Sequence, residues 1–134
     1  MKNRTLLILR LVCLVLVFEA VASASAQTVR ERLKKDPDFK IYAVTFGITA
    51  STNSSVPTVR LAKVTDPKAG TTDPVKVDVP GAYVKAAKKK IEAKHYEPEM
   101  KDGKPVEFFT YFYYVPGHSN VVVVDLDKPL DKQP

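Results

Sequence analysis

The chain has no tryptophan, and its one cysteine, Cys13, lies in the first apolar stretch. Beyond residue 26 there is accordingly no thiol, no disulfide and no cysteine-based metal site. Histidine is almost as scarce, with only His95 and His118. The first falls at the end of a predicted helix and the second in a Pro-Gly turn, so both read as solvated and no metal is expected. No glycine-rich phosphate loop and no nucleophile elbow occurs. Glu97 and Glu99 stand two apart near a helix exit, whereas general acid–base chemistry needs carboxylates that converge across a cleft. Surface charge is the better reading of both. The expectation is a protein that is not an enzyme and takes no cofactor.

Long apolar runs are also missing, with one partial exception. Lys2 and Arg4 precede an apolar segment from Leu6 to Phe18, and small residues follow, ending Ala24-Ser25-Ala26. A basic start, a short apolar middle and an A-x-A exit make a secretory signal peptide over 1–26. The run is shorter than the ~20 residues of a usual membrane span, and Arg10 interrupts it. Cleavage near Ala26 predicts a periplasmic or secreted protein with no stable membrane span; the alternative is an uncleaved inner-membrane anchor. Arg10-Leu11-Val12 before Cys13 lacks the small residue that lipid attachment requires, so no lipid anchor is expected.

Charge excludes little else. The formal net charge is +6, of which the first 26 residues supply +2 through Lys2, Arg4, Arg10 and Glu19. The remaining +4 is a mild excess that does not call for nucleic acid. The run Lys88-Lys89-Lys90 reads as a solvated face with weak attraction for anionic surfaces. Asn53-Ser54-Ser55 fits a glycosylation sequon, a triplet common by chance.

What remains is one small domain with appendages: a polar lead-in at 27–38, a folded region at 39–126 and a polar tail at 127–134. The lead-in reads either as a turn of helix before Pro37 or as a frayed segment. From Phe39 to Thr49 the residues alternate, with Tyr42, Val44, Phe46 and Ile48 on one side of a strand. Ser51–Pro57 is turn material, and Thr58–Thr65 is a second strand in a hairpin with the first. A Pro- and Gly-rich loop leads to Val75–Val79, either a short strand or merely extended. Pro80 opens a helix running to about Lys94, whose apolar arc is Tyr83, Val84, Ala87 and Ile91. Met100–Pro105 is a turn, Pro105–Val115 a long strand, and Asn120–Leu126 a final short one. Strands grouped around one helix predict an α+β fold: a small antiparallel sheet with one helix packed on one face.

The most informative stretch is Phe108–Tyr114, six aromatic side chains broken only by Thr110. Val106, Phe108, Thr110, Phe112 and Tyr114 share one face of that strand. Phe109, Tyr111, Tyr113 and Val115 share the other. A half-buried strand has one polar face; this one is aromatic on both. One face is expected to line the core, where truncation of a Phe to Ala costs roughly 3–5 kcal/mol. The opposite face needs cover, from the N-terminal segment, the valine-rich segment, a second subunit or a partner. Tyr-rich patches suit recognition because they bury area with few torsions to freeze.

The helix, its exit and the turn that follows resemble the C-terminal domain of the TonB family. Ala86 and Ala87 match the small helix positions and Ile91 the aliphatic one. Tyr96 and Pro98 match the aromatic-x-Pro exit, and Gly103, Pro105 and Val106 the turn and strand start. The resemblance covers roughly Phe39 to Val115. It implies a TonB-like fold in which Tyr96 caps the core and Val106 turns inward, which puts the Phe108/Phe112 face in the core, and a domain that binds protein or peptide by strand addition along Pro105–Val115. The partner it implies is an outer-membrane transporter, served by a membrane-anchored energy transducer. Residues 27–38 span at most ~43 Å when fully extended, too short a reach for a transducer. An exported binding or accessory domain is therefore the first expectation, with the transducer and a strand-adding homodimer as alternatives.

Overall fold

The computed structural model describes residues 27–117 and 123–133. It is an α+β fold built on a three-stranded antiparallel sheet. Helix α1 spans Val29–Lys35, β1 Tyr42–Thr49, β2 Thr58–Thr65, α2 Gly81–Glu92, β3 Met100–Lys101, β4 Lys104–Pro105 and β5 Phe108–Tyr114, followed by a 3-10 turn at Leu130–Lys132. In the main sheet β1 is central, between β2 and β5. The signal-like segment and His118 lie outside the described residues. No described helix is long and apolar enough to cross a membrane.

One side of the sheet carries the main core. Val44, Phe46 and Ile48 of β1 pack with Val64 of β2, Tyr114 of β5, and Tyr83, Ala87 and Ile91 of α2. These helix positions are spaced by four, one stripe of a 3.6-residue turn. Ala87 is fully buried, so its lack of bulk sets the close approach of helix to sheet; Ala86 beside it is only half-buried. The helix is shorter than its sequence pattern predicts. Pro80 is its N-cap residue, and no side chain caps that end. Tertiary packing rather than capping holds α2, helped by Lys89 and Lys90 at the negative end of its dipole. The helix ends at Glu92, well before Pro98, so Lys94 stands exposed beyond the apolar arc.

Val75–Val79 is extended without joining the sheet. Val75, Val77 and Val79 are half-buried on the main core while Lys76 and Asp78 are exposed. A single bond, from the Val75 N–H to the Val64 carbonyl at 2.9 Å, ties the segment to β2.

The long strand expected over Pro105–Val115 is broken in two. Asp102 and Gly103 both have positive φ, 52° and 75°, which makes a two-residue hairpin between β3 and β4. Asp-Gly is a preferred pair for that turn. Pro105 faces Met100, one step beyond the hydrogen-bonded pair that closes the turn, so its missing N–H costs nothing. The next bond, Val106 N–H to the Glu99 carbonyl, is 2.7 Å. Val106 and Glu107 then lead into β5.

The second side of the sheet carries a smaller core. Val29, Phe39, Ile41, Val115 and Val124 form it, with Leu33, Tyr113, Leu126 and Leu130 around them. Both segments that composition sets outside the domain supply its cover. The lead-in forms α1, opened by a capping box in which the Thr28 side chain accepts from the Glu31 N–H and the Glu31 carboxylate accepts from the Thr28 N–H. The tail lies against it: Thr28 bridges Pro129, and the Arg30 N–H reaches the Leu126 carbonyl at 2.9 Å. Arg30 also pairs with Asp127 at 2.8 Å. Lys68 clasps the corner between α1 and β1, its ammonium donating to the carbonyls of Asp36, Pro37 and Phe39 at 3.1, 3.2 and 2.7 Å.

Candidate functional site

Strand β5 is one edge of the sheet. Paired residues on adjacent strands share a face, so Phe108, Phe112 and Tyr114 lie with Ile48, Val44 and Tyr42 over the main core. The inward face is the one the sequence predicts. Phe112 packs near Phe46, with ring centroids 6.2 Å apart, and Tyr114 meets Tyr83 edge-on at 5.0 Å. Tyr96 folds back from the helix exit onto Phe108, with centroids 5.3 Å apart. The Tyr83 hydroxyl donates to the Tyr113 carbonyl at 2.9 Å. Burial pushes that phenol well above its ordinary range, with the neighbouring Tyr114 adding to the effect.

The opposite face of β5 is divided. Val115 is 6% exposed and belongs to the second core, so it is a packing residue and not a surface contact. Tyr113 is half-buried beside it and touches Tyr111 edge-on at 5.6 Å. Burial first, and then the Tyr111 hydroxyl, raises the Tyr113 phenol. Phe109 and Tyr111 are 58% and 56% exposed. Cover from the N-terminal segment and from Val124 thus reaches half of this face and stops.

The backbone divides at the same place. Successive strand residues turn their N–H and C=O groups alternately to either side. The Tyr113 carbonyl points away from β1 and accepts the Val124 N–H at 3.1 Å. Tyr111 and Phe109 follow it at spacings of two, so their backbone groups point the same way. Val124 forms an isolated antiparallel bridge with Tyr113, and the chain then turns away toward α1. The predicted Asn120–Leu126 strand is that single bridge among the described residues, since 118–122 lie outside them. Nothing described pairs with Phe109 or Tyr111 from the open side.

Phe109 and Arg60 flank Gly47 across β1. The Glu107 carboxylate lies over Gly47, where a β-carbon would collide with it. Arg60 grips that carboxylate with two hydrogen bonds, the longer of them 2.7 Å from Nη2 to Oε2. This contact holds the Glu107 carboxyl below its usual range. The signal for the arrangement in the sequence is a lone glycine inside a strand pattern.

A concavity lies between the β1–β2 loop and the exit of α2. This cleft of about 560 Å³ is lined by Ser51, Thr52, Asn53, Ser54, Ser55, His95, Tyr96 and Pro98. Glu97, between Tyr96 and Pro98 in the chain, is not among its lining residues. Among the described residues no group of three or more His, Cys, Asp or Glu side chains could hold a metal ion. No family model, curated protein or solved structure matches the chain.

Proposed function

We propose that this chain is an exported, non-enzymatic binding domain of the TonB C-terminal kind, and that it takes an extended protein segment on the open part of the β5 edge. The observation that carries the reading is the coincidence at Phe109 and Tyr111 of unpaired backbone and exposed aromatic side chains. Each of the two residues offers one N–H and one C=O to an added strand, and their rings give that strand an apolar seat. Natural edge strands are usually blunted by Lys, Pro, a bulge or a cover. Phe108–Tyr114 has no charge and no proline, and among the described residues the only backbone paired with its outer edge is that of Val124.

Tyr96 packed on Phe108, Ala87 at the helix–sheet contact and Gly103 in a tight turn support the family likeness. Against the transducer stands the fate of the lead-in. Most of residues 27–38 are folded down as α1 and the Lys68-clasped corner, which leaves almost no tether.

The test is hydrogen exchange on the isolated protein, followed by NMR, with peptides selected from a random display library. Bound peptide should protect the Phe109 and Tyr111 amides specifically. Tyr111→Pro, which removes an outward N–H without touching the ladder to β1, should abolish binding. Protection already present without peptide, together with a doubled mass in sedimentation, would establish the homodimer instead. Exchange at these amides that no selected peptide slows would sink the reading. Intact mass from fractionated cells decides the export clause: a soluble species beginning at Gln27 supports it, and a membrane-held species retaining Met1 overturns it.

A further inference from the structure

The cleft between the β1–β2 loop and the α2 exit has a chemistry unlike the rest of the surface. In a chain that is 27% charged, its eight lining residues include no Asp, Glu, Lys or Arg. They present four hydroxyl side chains from Ser51, Thr52, Ser54 and Ser55, one carboxamide, one imidazole and one phenol. Such groups both donate and accept hydrogen bonds. The volume, about 560 Å³, lies in the range of small-ligand sites.

Two features organise the cleft. The loop is braced by its own side chains. The Asn53 N–H donates to Ser51 Oγ at 3.1 Å, and Ser54 Oγ accepts from the Val56 N–H and donates to the Val56 carbonyl, both at 3.2 Å. Across from it, Tyr96 is held by Phe108. The groups not used in bracing are the Ser55 hydroxyl, the Asn53 amide N–H₂, the His95 imidazole and the Tyr96 hydroxyl; none makes a hydrogen bond with another described residue. An aromatic ring held by Phe108 beside uncharged donors and acceptors suits a ligand that is itself rich in hydroxyls and carries C–H faces for the ring.

We infer that this cleft binds a neutral oligosaccharide, with Asn53, Ser55 and His95 hydrogen-bonding its hydroxyls and Tyr96 stacking on a sugar face. Anionic ligands are disfavoured because no cation lines the cleft. The site is separate from the open β5 edge and does not depend on the peptide-binding reading.

The experiment uses the protein as isolated from cells expressing the full chain, in NMR titrations with the neutral trisaccharides of glucose, galactose, mannose and N-acetylglucosamine. At least one should give saturable shifts centred on residues 51–55 and 95–96. Asn53→Ala and His95→Ala, both at exposed positions, should each weaken that binding by about tenfold or more while leaving the remaining spectrum in place. Tyr111→Pro should leave it unchanged, which separates this result from the test of the edge. No saturable shift from any of the four sugars up to about 10 mM, or shifts centred elsewhere, would overturn the assignment. So would binding that survives both alanine variants.

Discussion

Tyr113 and Phe109 stand on the same strand and the same face, four residues apart, and meet opposite fates. Tyr113 is roofed by α1 and the tail, and its carbonyl is taken by Val124. Phe109 has neither cover nor edge partner among the described residues. The local sequence does little to separate them: both are aromatic, each follows a phenylalanine, and both are in phase on one strand. The difference comes from where distant segments land. Burial on a strand is thus a property of the chain's return path, and the place where that path stops defines the open surface.

The comparison yields a graded series of expected losses in urea unfolding. Phe46→Ala, at the fully buried centre of β1, should cost about 3–5 kcal/mol. Phe108→Ala or Phe112→Ala should follow at about 2–3 kcal/mol, below the sequence-based figure because both rings are only half-buried. Val29→Ala, 1% exposed under the second core, should cost about 1.5–3 kcal/mol. A value near zero there would show that α1 is an ornament and would dissolve the contrast between the two ends of β5.

Tyr83→Phe removes the hydroxyl that α2 sends to the Tyr113 carbonyl, for about 0.5–1.5 kcal/mol. The same variant has a pH signature. Folding raises the Tyr83 phenol above its ordinary value of ~10, so the folded state holds that proton more tightly. Its contribution is complete below pH ~10 and is lost as pH rises beyond it. The wild-type protein should therefore lose stability more steeply than Tyr83→Phe above that pH, and parallel curves would contradict the burial argument.

Gly47→Ala pushes a β-carbon into the Glu107 carboxylate. It should destabilise the wild-type protein but be neutral or better with Glu107→Ala, and additive effects would show that the close approach is not what fixes glycine there. Smallest of all, Phe109→Ala should change stability by no more than about 0.5 kcal/mol. Its effect belongs in peptide binding.

Much of the fold was legible in the residues. Alternation placed β1, the turn at Ser51–Pro57 and a hairpin with β1 placed β2, the spacing of Tyr83, Ala87 and Ile91 placed the packed face of α2, and the family likeness oriented β5 with Phe108 and Phe112 inward. Three things were harder to read. The Thr28-x-x-Glu31 capping box and the Asp102-Gly103 hairpin pair were local signals present in plain form, one passed over among charged residues and the other read only as a turn. The second core had little local signal, because around Val124 of the valine-rich run most of its parts are single apolar residues in polar segments, at Val29, Leu33, Leu126 and Leu130. Of the candidate binding strand, Val115 and half of Tyr113 are withdrawn from the surface for that same reason. The cleft at Ser51–Ser55 was legible as a loop but not as a wall, since its opposite side is about 40 residues further on.

The pairing of the lead-in with the tail also bears on how the protein reaches its fold. Arg30 and Asp127 are 97 residues apart in the chain, and the second core cannot close until both have arrived. Contacts of such long range slow folding, because loop closure must precede the contacts that offset it. Synthesis from the N-terminus makes α1 long before the segment at 124–130 that it packs against, so the second core closes only after β1, β2, α2 and β5 have been made. The latch engages after everything it secures.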